Sequence, residues 1–237
     1  MKKKTHTLYS TKNHYGEDCV VQVQYGSQNT KTGDSIQIWI IPLQWVTDGP
    51  AAMSNDTASC MDCIHSKSKN RSCYVRKGFA EYGLTSKVKS LHKQYVNGNI
   101  VFHPVESLVS MEGENIRGKF VRFGAYGEPV LLGHDTVKDI ANLAVNFTGY
   151  THQWHIPEYE WSKDYFMASV ESEPLMDKAN NKGFRTFRVR TKSAALLPTR
   201  EVICPASKEG GRKVTCVNCA LCKGASSKAK NIVIIKH

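Results

Sequence analysis

The sequence predicts an α/β protein: a partial or open parallel (βα) barrel-like sheet, preceded by an N-terminal β-hairpin and carrying two cysteine-rich metal-binding loops. Three observations carry this expectation. From residue 99 onward, short apolar runs alternate with helical patterns, and strands separated by helices pair in parallel through right-handed crossovers. The first fifty residues hold two alternating runs divided by turn chemistry. Seven of the eight cysteines fall into two clusters rather than spreading as pairs.

In chain order, residues 19–25 alternate as a half-buried strand with Val21, Val23 and Tyr25 on one face, and residues 35–41 alternate again up to Pro42. Between them, Gly26 to Asp34 is turn chemistry throughout, so the pair reads as a hairpin with a long polar loop. Residues 79–96 form a basic segment, helical or irregular, with Leu84, Val88, Leu91 and Tyr95 at helical spacing. Then come a strand at 99–103, a helix at 104–114, a strand at 120–126 and a helix at 135–146 with Asp135 as its N-cap. Strands follow at 147–151 and 165–170, and a helix at 173–182 is capped by Ser172 and stopped by Gly183. Residues 184–190 and 231–236 are the last strands, the final one fully buried. The chain reads as one domain, 1–237: hairpin (1–50), three-cysteine basic segment (51–98), βα units (99–200), and a four-cysteine loop with its closing strand (201–237).

The cysteines carry the strongest chemical signal. Cys204, Cys216, Cys219 and Cys222 lie within nineteen residues, three of them as C-x2-C-x2-C. A thiolate every third residue lets a short loop wrap one metal centre, as in iron–sulfur loops, and zinc is also served by four thiolates. Folding of the C-terminal third is expected to depend on that centre. The other set, Cys60, Cys63 and Cys73, has only three members. Either His65 or Cys19 closes it as a structural site, or the fourth position stays open as a catalytic metal requires. The basic start Met1 to His6 is followed by no apolar stretch, so no signal peptide is expected, and no run approaches a membrane span. The expected compartment is a reducing cytoplasm, where clustered cysteines bind metals rather than form disulfides.

The net charge is +11 and unevenly spread. Residues 67–93 carry eight Lys/Arg against Glu81, and residues 204–237 carry seven against Glu209, whereas 104–183 is net acidic. Positive charge beside both cysteine clusters suits a polyanion, most simply nucleic acid, met by Lys67, Lys69, Arg71, Arg76, Lys87, Lys89, Arg212, Lys213, Lys228 and Lys230.

In parallel α/β folds ligands bind at the carboxyl ends of strands. Several distinctive residues fall there: Gly127-Glu128-Pro129, Tyr150-Thr151-His152 with Trp154 beyond, Ser169 with Glu171 and Ser172, and Arg188 with Arg190. Together they outline a pocket for a small zwitterionic or phosphorylated ligand, with Tyr150, His152 and Trp154 toward substrate or nucleic acid.

The motif order Cys60-x2-Cys63…Cys73-Tyr74, Arg122-x4-Gly127-Glu128-Pro129, Gly149-Tyr150-Thr151-His152-x-Trp154, Met167-Ala168-Ser169-Val170 and Cys204-Pro205…Cys216-x2-Cys219-x2-Cys222…Ile235-x-His237 resembles a family of bacteriophage proteins similar to the phage "gene product eighty-eight" family, over roughly residues 15–237. The three-cysteine set and the Gly-Glu-Pro turn also resemble the radical SAM superfamily, with the spacing C-x2-C-x9-C where those enzymes carry C-x3-C-x2-C. That resemblance implies a four-iron cluster on Cys60, Cys63 and Cys73. It also implies S-adenosylmethionine on the open iron, held by Gly127, Glu128 and Pro129. Three functions stay open: an iron–sulfur enzyme acting on nucleic acid or its precursors, a zinc-stabilised nucleic-acid-binding protein, and a phage protein that binds a host factor in the host cytoplasm.

Overall fold

The computed structural model describes residues 5–236 apart from 28, 74, 76, 77, 212, 213 and 226–228. Alternating sequence builds a six-stranded sheet from β1 (His6–Lys12), β2 (Asp18–Gln24), β3 (Ile36–Pro42), β4 (Ile100–Pro104), β5 (Phe120–Tyr126) and β6 (Asn146–Thr148), in the order β4-β1-β2-β3-β5-β6. The β1–β2 and β2–β3 pairs are antiparallel, which is the expected hairpin extended by one strand; the pairs β1–β4, β3–β5 and β5–β6 are parallel. A second, wholly parallel sheet runs β10-β11-β9-β8-β7, from β7 (Tyr150–Thr151), β8 (Met167–Val170), β9 (Thr186–Arg190), β10 (Glu201–Ile203) and β11 (Asn231–Ile235).

The stretch read as one strand at 147–151 is divided between the two sheets. Asn146–Thr148 pairs with β5, Tyr150 and Thr151 pair with β8, and Gly149 lies between them. A Cβ at Gly149 would stand 2.5 Å from the Phe166 ring, so the chain passes from sheet to sheet only where no side chain intervenes. The architecture is therefore mixed α/β with two open, mostly parallel sheets.

Period-2 alternation sorts the strand residues of the first sheet into two cores. Cys19, Val21, Ile38, Ile40 and Phe123 pack with Leu108 and Ile116 of α4 (Leu108–Ile116) and with Val137 and Ile140 of α5 (His134–Leu143). Leu8, Val20 and Ile41 pack with Trp45 of α1 (Leu43–Thr47), with Leu84, Val88 and Leu91 of α3 (Gly78–Val96), and with Cys60 and Cys63. In the second sheet, Ala168 and Val170 face Met176 and Ala179 of α6 (Glu173–Asn181), while Met167 and Ile232 face Cys204 and Cys222. Each sheet thus carries one cysteine set against one face.

Two local expectations are corrected. Asp135 does not cap α5: that helix begins at His134 after Gly133, whose φ of 79° sets the entry, and Asp135 lies in the first turn. The Ser172 cap forms, its side chain accepting from the Leu175 amide, and Gly183 follows the end of α6 with φ 86°. Among the described residues no helix is long and apolar enough to cross a membrane.

Candidate functional site

The three-cysteine loop starts from α2 (Thr57–Cys60), which lies against β3. Asp56, wholly buried, organises it. Its carboxylate accepts from the amides of Lys67 at 2.7 Å and Ser68 at 3.2 Å and from the Tyr126 hydroxyl at 3.2 Å, and its carbonyl accepts from the Cys60 amide. The Cys63 amide donates to the Cys60 carbonyl and the Cys73 amide to the His65 carbonyl, so the loop folds back on itself with Met61 and Arg71 at positive φ. Burial raises the Cys60 thiol well above its ordinary pKa, and the nearby Asp56, Cys63 and Cys73 add to this. Such a thiol ionises readily only beside a cation, and a metal ion supplies that charge.

The Gly-Glu-Pro turn meets this loop from the end of β5. Gly127 has φ 79°, and a Cβ there would stand 2.2 Å from the Ile40 carbonyl oxygen of β3, so only glycine permits the approach. The Glu128 amide donates to the Ser59 carbonyl at 2.8 Å, next to Cys60. The Glu128 carboxylate is buried and fully engaged: it accepts from Thr151 Oγ1 at 2.8 Å, from the His152 amide at 3.1 Å and from His152 Nδ1 at 2.9 Å. It thereby orients the His152 ring. Pro129 is buried and opens the 3-10 turn that follows.

Cys63, Glu128 and His152 bring ligand atoms within 4.8 Å of one another, and so do His65, His152 and Glu171. His65 comes from the cysteine loop, His152 follows β7 and Glu171 follows β8, so adjacent parallel strands deliver these groups at their carboxyl ends. Burial disfavours a charge on His152, but Cys63 and Glu128 outweigh it and hold the imidazole well above its ordinary pKa of 6.5. The spot favours positive charge. Cys19, by contrast, is no ligand here. It lies in the other core of the sheet, because alternation turns it away from Val20 and hence from Cys60 and Cys63.

The four-cysteine loop gathers behind the second sheet. Burial pushes Cys222 up to about 12; a Tyr150 hydrogen bond opposes this, and Cys204, Cys216 and Cys219 reinforce it, so the four sulfurs share one neighbourhood. Helix α7 (Cys216–Cys219) takes its first amide contacts from the hairpin loop, with Cys216 donating to the Lys31 carbonyl at 2.9 Å and Val217 to Thr32 at 3.2 Å. Arg185 braces the loop from below, donating to the carbonyls of Ala229 at 2.8 Å, Leu221 at 2.9 Å, Lys223 at 2.5 Å and Lys230 at 2.6 Å.

The spacing of the sulfurs bears on what they can hold. Four thiolates on one zinc at about 2.3 Å lie about 3.8 Å apart. Among the described residues, the groups with three ligand atoms within 4.8 Å are the two named above, and neither contains more than one cysteine. The compact groups among the described residues are thus mixed Cys, His and Glu sets rather than all-cysteine ones.

Other expected site residues fall elsewhere. Tyr150, expected toward substrate, packs at 4.5 Å on Phe187 and hydrogen-bonds Cys222. Trp154 is buried and donates from Nε1 to the Ser169 carbonyl at 3.2 Å, so the two fix each other. Arg188, expected at a cofactor, forms a buried ion pair with Glu201 and donates to the Ala195 carbonyl at 2.8 Å. Lys67 is half-buried, while Lys69 and Arg71 are exposed on the cysteine loop. Arg76, Arg212, Lys213 and Lys228 lie outside the described residues. Asp56, Arg185 and the partnership of His65 with Glu171 were not read from the sequence; the position of His65 two residues after Cys63 was the available signal.

Fold and site together define an α/β protein with buried Cys, His and Glu groups able to hold a metal ion. Comparison with protein-family models, with curated proteins and with solved structures finds no match.

Proposed function

We propose that the protein is an iron–sulfur enzyme of radical SAM-like architecture. In this reading Cys60, Cys63 and Cys73 hold a cluster with one open iron position, and Cys204, Cys216, Cys219 and Cys222 hold a second, closed one. The observation that carries it is the junction of the first cysteine loop with the Gly-Glu-Pro turn: Glu128 N donates to the carbonyl of Ser59, and the Glu128 carboxylate lies within 4.8 Å of Cys63 and His152. The strand order supports it. Parallel strands β3, β5, β6 with β7, β8, β9 and β11 follow one another across both sheets in sequence order, which is the order of a partial (βα) barrel.

The ligand proposed for the open position is S-adenosylmethionine. With the Glu128 carboxylate committed to His152, its amine falls to the carbonyls of the turn. The substrate class proposed is a polyanion, nucleic acid or its precursors, because Lys69 and Arg71 are exposed on the same loop that carries Cys63 and Cys73. The test is the EPR signal of the reduced, anaerobically reconstituted protein titrated with S-adenosylmethionine. A shifted signal in the wild type, lost in Cys63→Ser, is expected; an unmoved signal removes this reading.

A further inference from the structure

Three buried atoms of the site remain without hydrogen bonds: Nε2 of His65, Nε2 of His152 and Oε1 of Glu171. Buried polar groups are almost always partnered, and three unpartnered ones facing each other call for an explanation. His65 Nε2 is 3.0 Å from Glu171 Oε1 and His152 Nε2 is 3.9 Å from it, yet neither contact is aligned as a hydrogen bond.

The opposite nitrogens show which way the protons lie. His152 Nδ1 is 2.9 Å from the Glu128 carboxylate, which only accepts, so Nδ1 carries the hydrogen. His65 Nδ1 is 2.5 Å from Ser72 Oγ, and the Ser72 hydroxyl donates to Asn70 Oδ1. Ser72 therefore accepts from His65, and Nδ1 again carries the hydrogen. Both rings therefore turn Nε2 toward the Glu171 carboxylate, and the cluster calls for a cation among the three atoms, a role that a metal ion fills in place of a proton.

We propose that His65 Nε2, His152 Nε2 and Glu171 Oε1 bind a divalent first-row transition-metal ion, at a site beside the first cysteine set that takes no thiolate ligand. Ligand atoms at about 2.1 Å from one ion lie about 3.0–3.4 Å apart at tetrahedral or octahedral angles, and the contacts of 3.0 and 3.9 Å bracket that range. Two imidazoles and one carboxylate suit Fe(II), Mn(II), Co(II) or Zn(II), and three protein ligands leave positions open for water or an anionic substrate oxygen. Glu128 and Ser72 are the outer partners that fix the rings, the arrangement typical of metal-bound histidine.

This site does not depend on the iron–sulfur reading, and the test keeps the two apart. The anaerobically purified protein, its iron and sulfide content measured before and after, is titrated with Co(II), whose absorption distinguishes nitrogen and oxygen ligands from thiolate. One equivalent bound with no sulfur charge-transfer band is expected, with binding lost in His65→Ala and in Glu171→Gln. In Glu128→Gln it weakens by about 10–100-fold. Binding that persists in both ligand variants, a thiolate band, or no binding overturns the proposal. Should the variants not fold, pulsed EPR of Mn(II)-loaded wild type decides: couplings to two imidazole nitrogens are expected, and their absence overturns it.

Discussion

At the scale of single residues, the same side chain type serves opposite ends. Lys69 and Arg71 are solvated charges, whereas Arg188 and Arg185 are buried and structural. Arg188 is fully desolvated with Glu201, which also accepts from the Leu197 amide at 2.9 Å. Removing one partner strands the other charge in the interior. Arg188→Met is therefore expected to destabilise the protein by about 3–5 kcal/mol, and the double variant with Glu201→Leu to recover much of that, as read by denaturant unfolding. Recovery follows from volume-matched apolar replacement; an equal or larger loss in the double variant would argue against a desolvated pair. The sequence offered Arg188 as a cofactor ligand because its partner sits on β10, and the three residues Glu-Val-Ile of that strand are too short to show a period. The partners of the Glu128 carboxylate were hidden for a related reason: Thr151 and His152 lie more than twenty residues away, beyond any local pattern.

At the scale of elements, the long periodic runs were legible. Strands β2, β3, β5 and β11 and helices α3, α4 and α6 stand within a few residues of where their patterns place them. What was not legible was the division of residues 146–151 between two sheets, since alternation does not say which neighbour a strand pairs with. The junction of α3 with the hairpin gives a test of its own. Lys87 reaches from α3 to the side-chain oxygens of Gln22 at 2.8 Å and Gln24 at 2.7 Å, with its ammonium 4.6 Å from the Trp39 ring centroid. Burial lowers its pKa from 10.5 to about 8. Between those values the unfolded chain holds the proton more strongly than the folded one, so the Lys87 contribution to stability rises with pH from about 8 to 10.5 and is flat below. Lys87→Met is expected to melt higher than the wild type at pH 7, with the gap narrowing across that window. A gap independent of pH would mean that burial in the junction does not depress the Lys87 pKa. The comparison of variant with wild type cancels the buried thiols, whose raised values act on both.

At the scale of the whole molecule, two sheets each press one face against a cysteine loop, and β7, the edge strand of the second sheet, touches both loops' surroundings. Tyr150 turns to Cys222 on one side, while Thr151 and His152 hold Glu128 beside Cys63 on the other. The cysteine clusters were plain in the sequence because spacing alone reveals them. Their setting was not, because it depends on where β3, β5 and β7 bring distant loops. The claim on which the functional account stands is that both cysteine sets hold iron–sulfur clusters, and the most direct test is the iron and acid-labile sulfide content of protein purified and reconstituted without oxygen. The expected result is a brown protein with about eight of each per chain, as two four-iron clusters require, falling by about half in Cys219→Ser. A colourless protein containing zinc and no labile sulfide would contradict it.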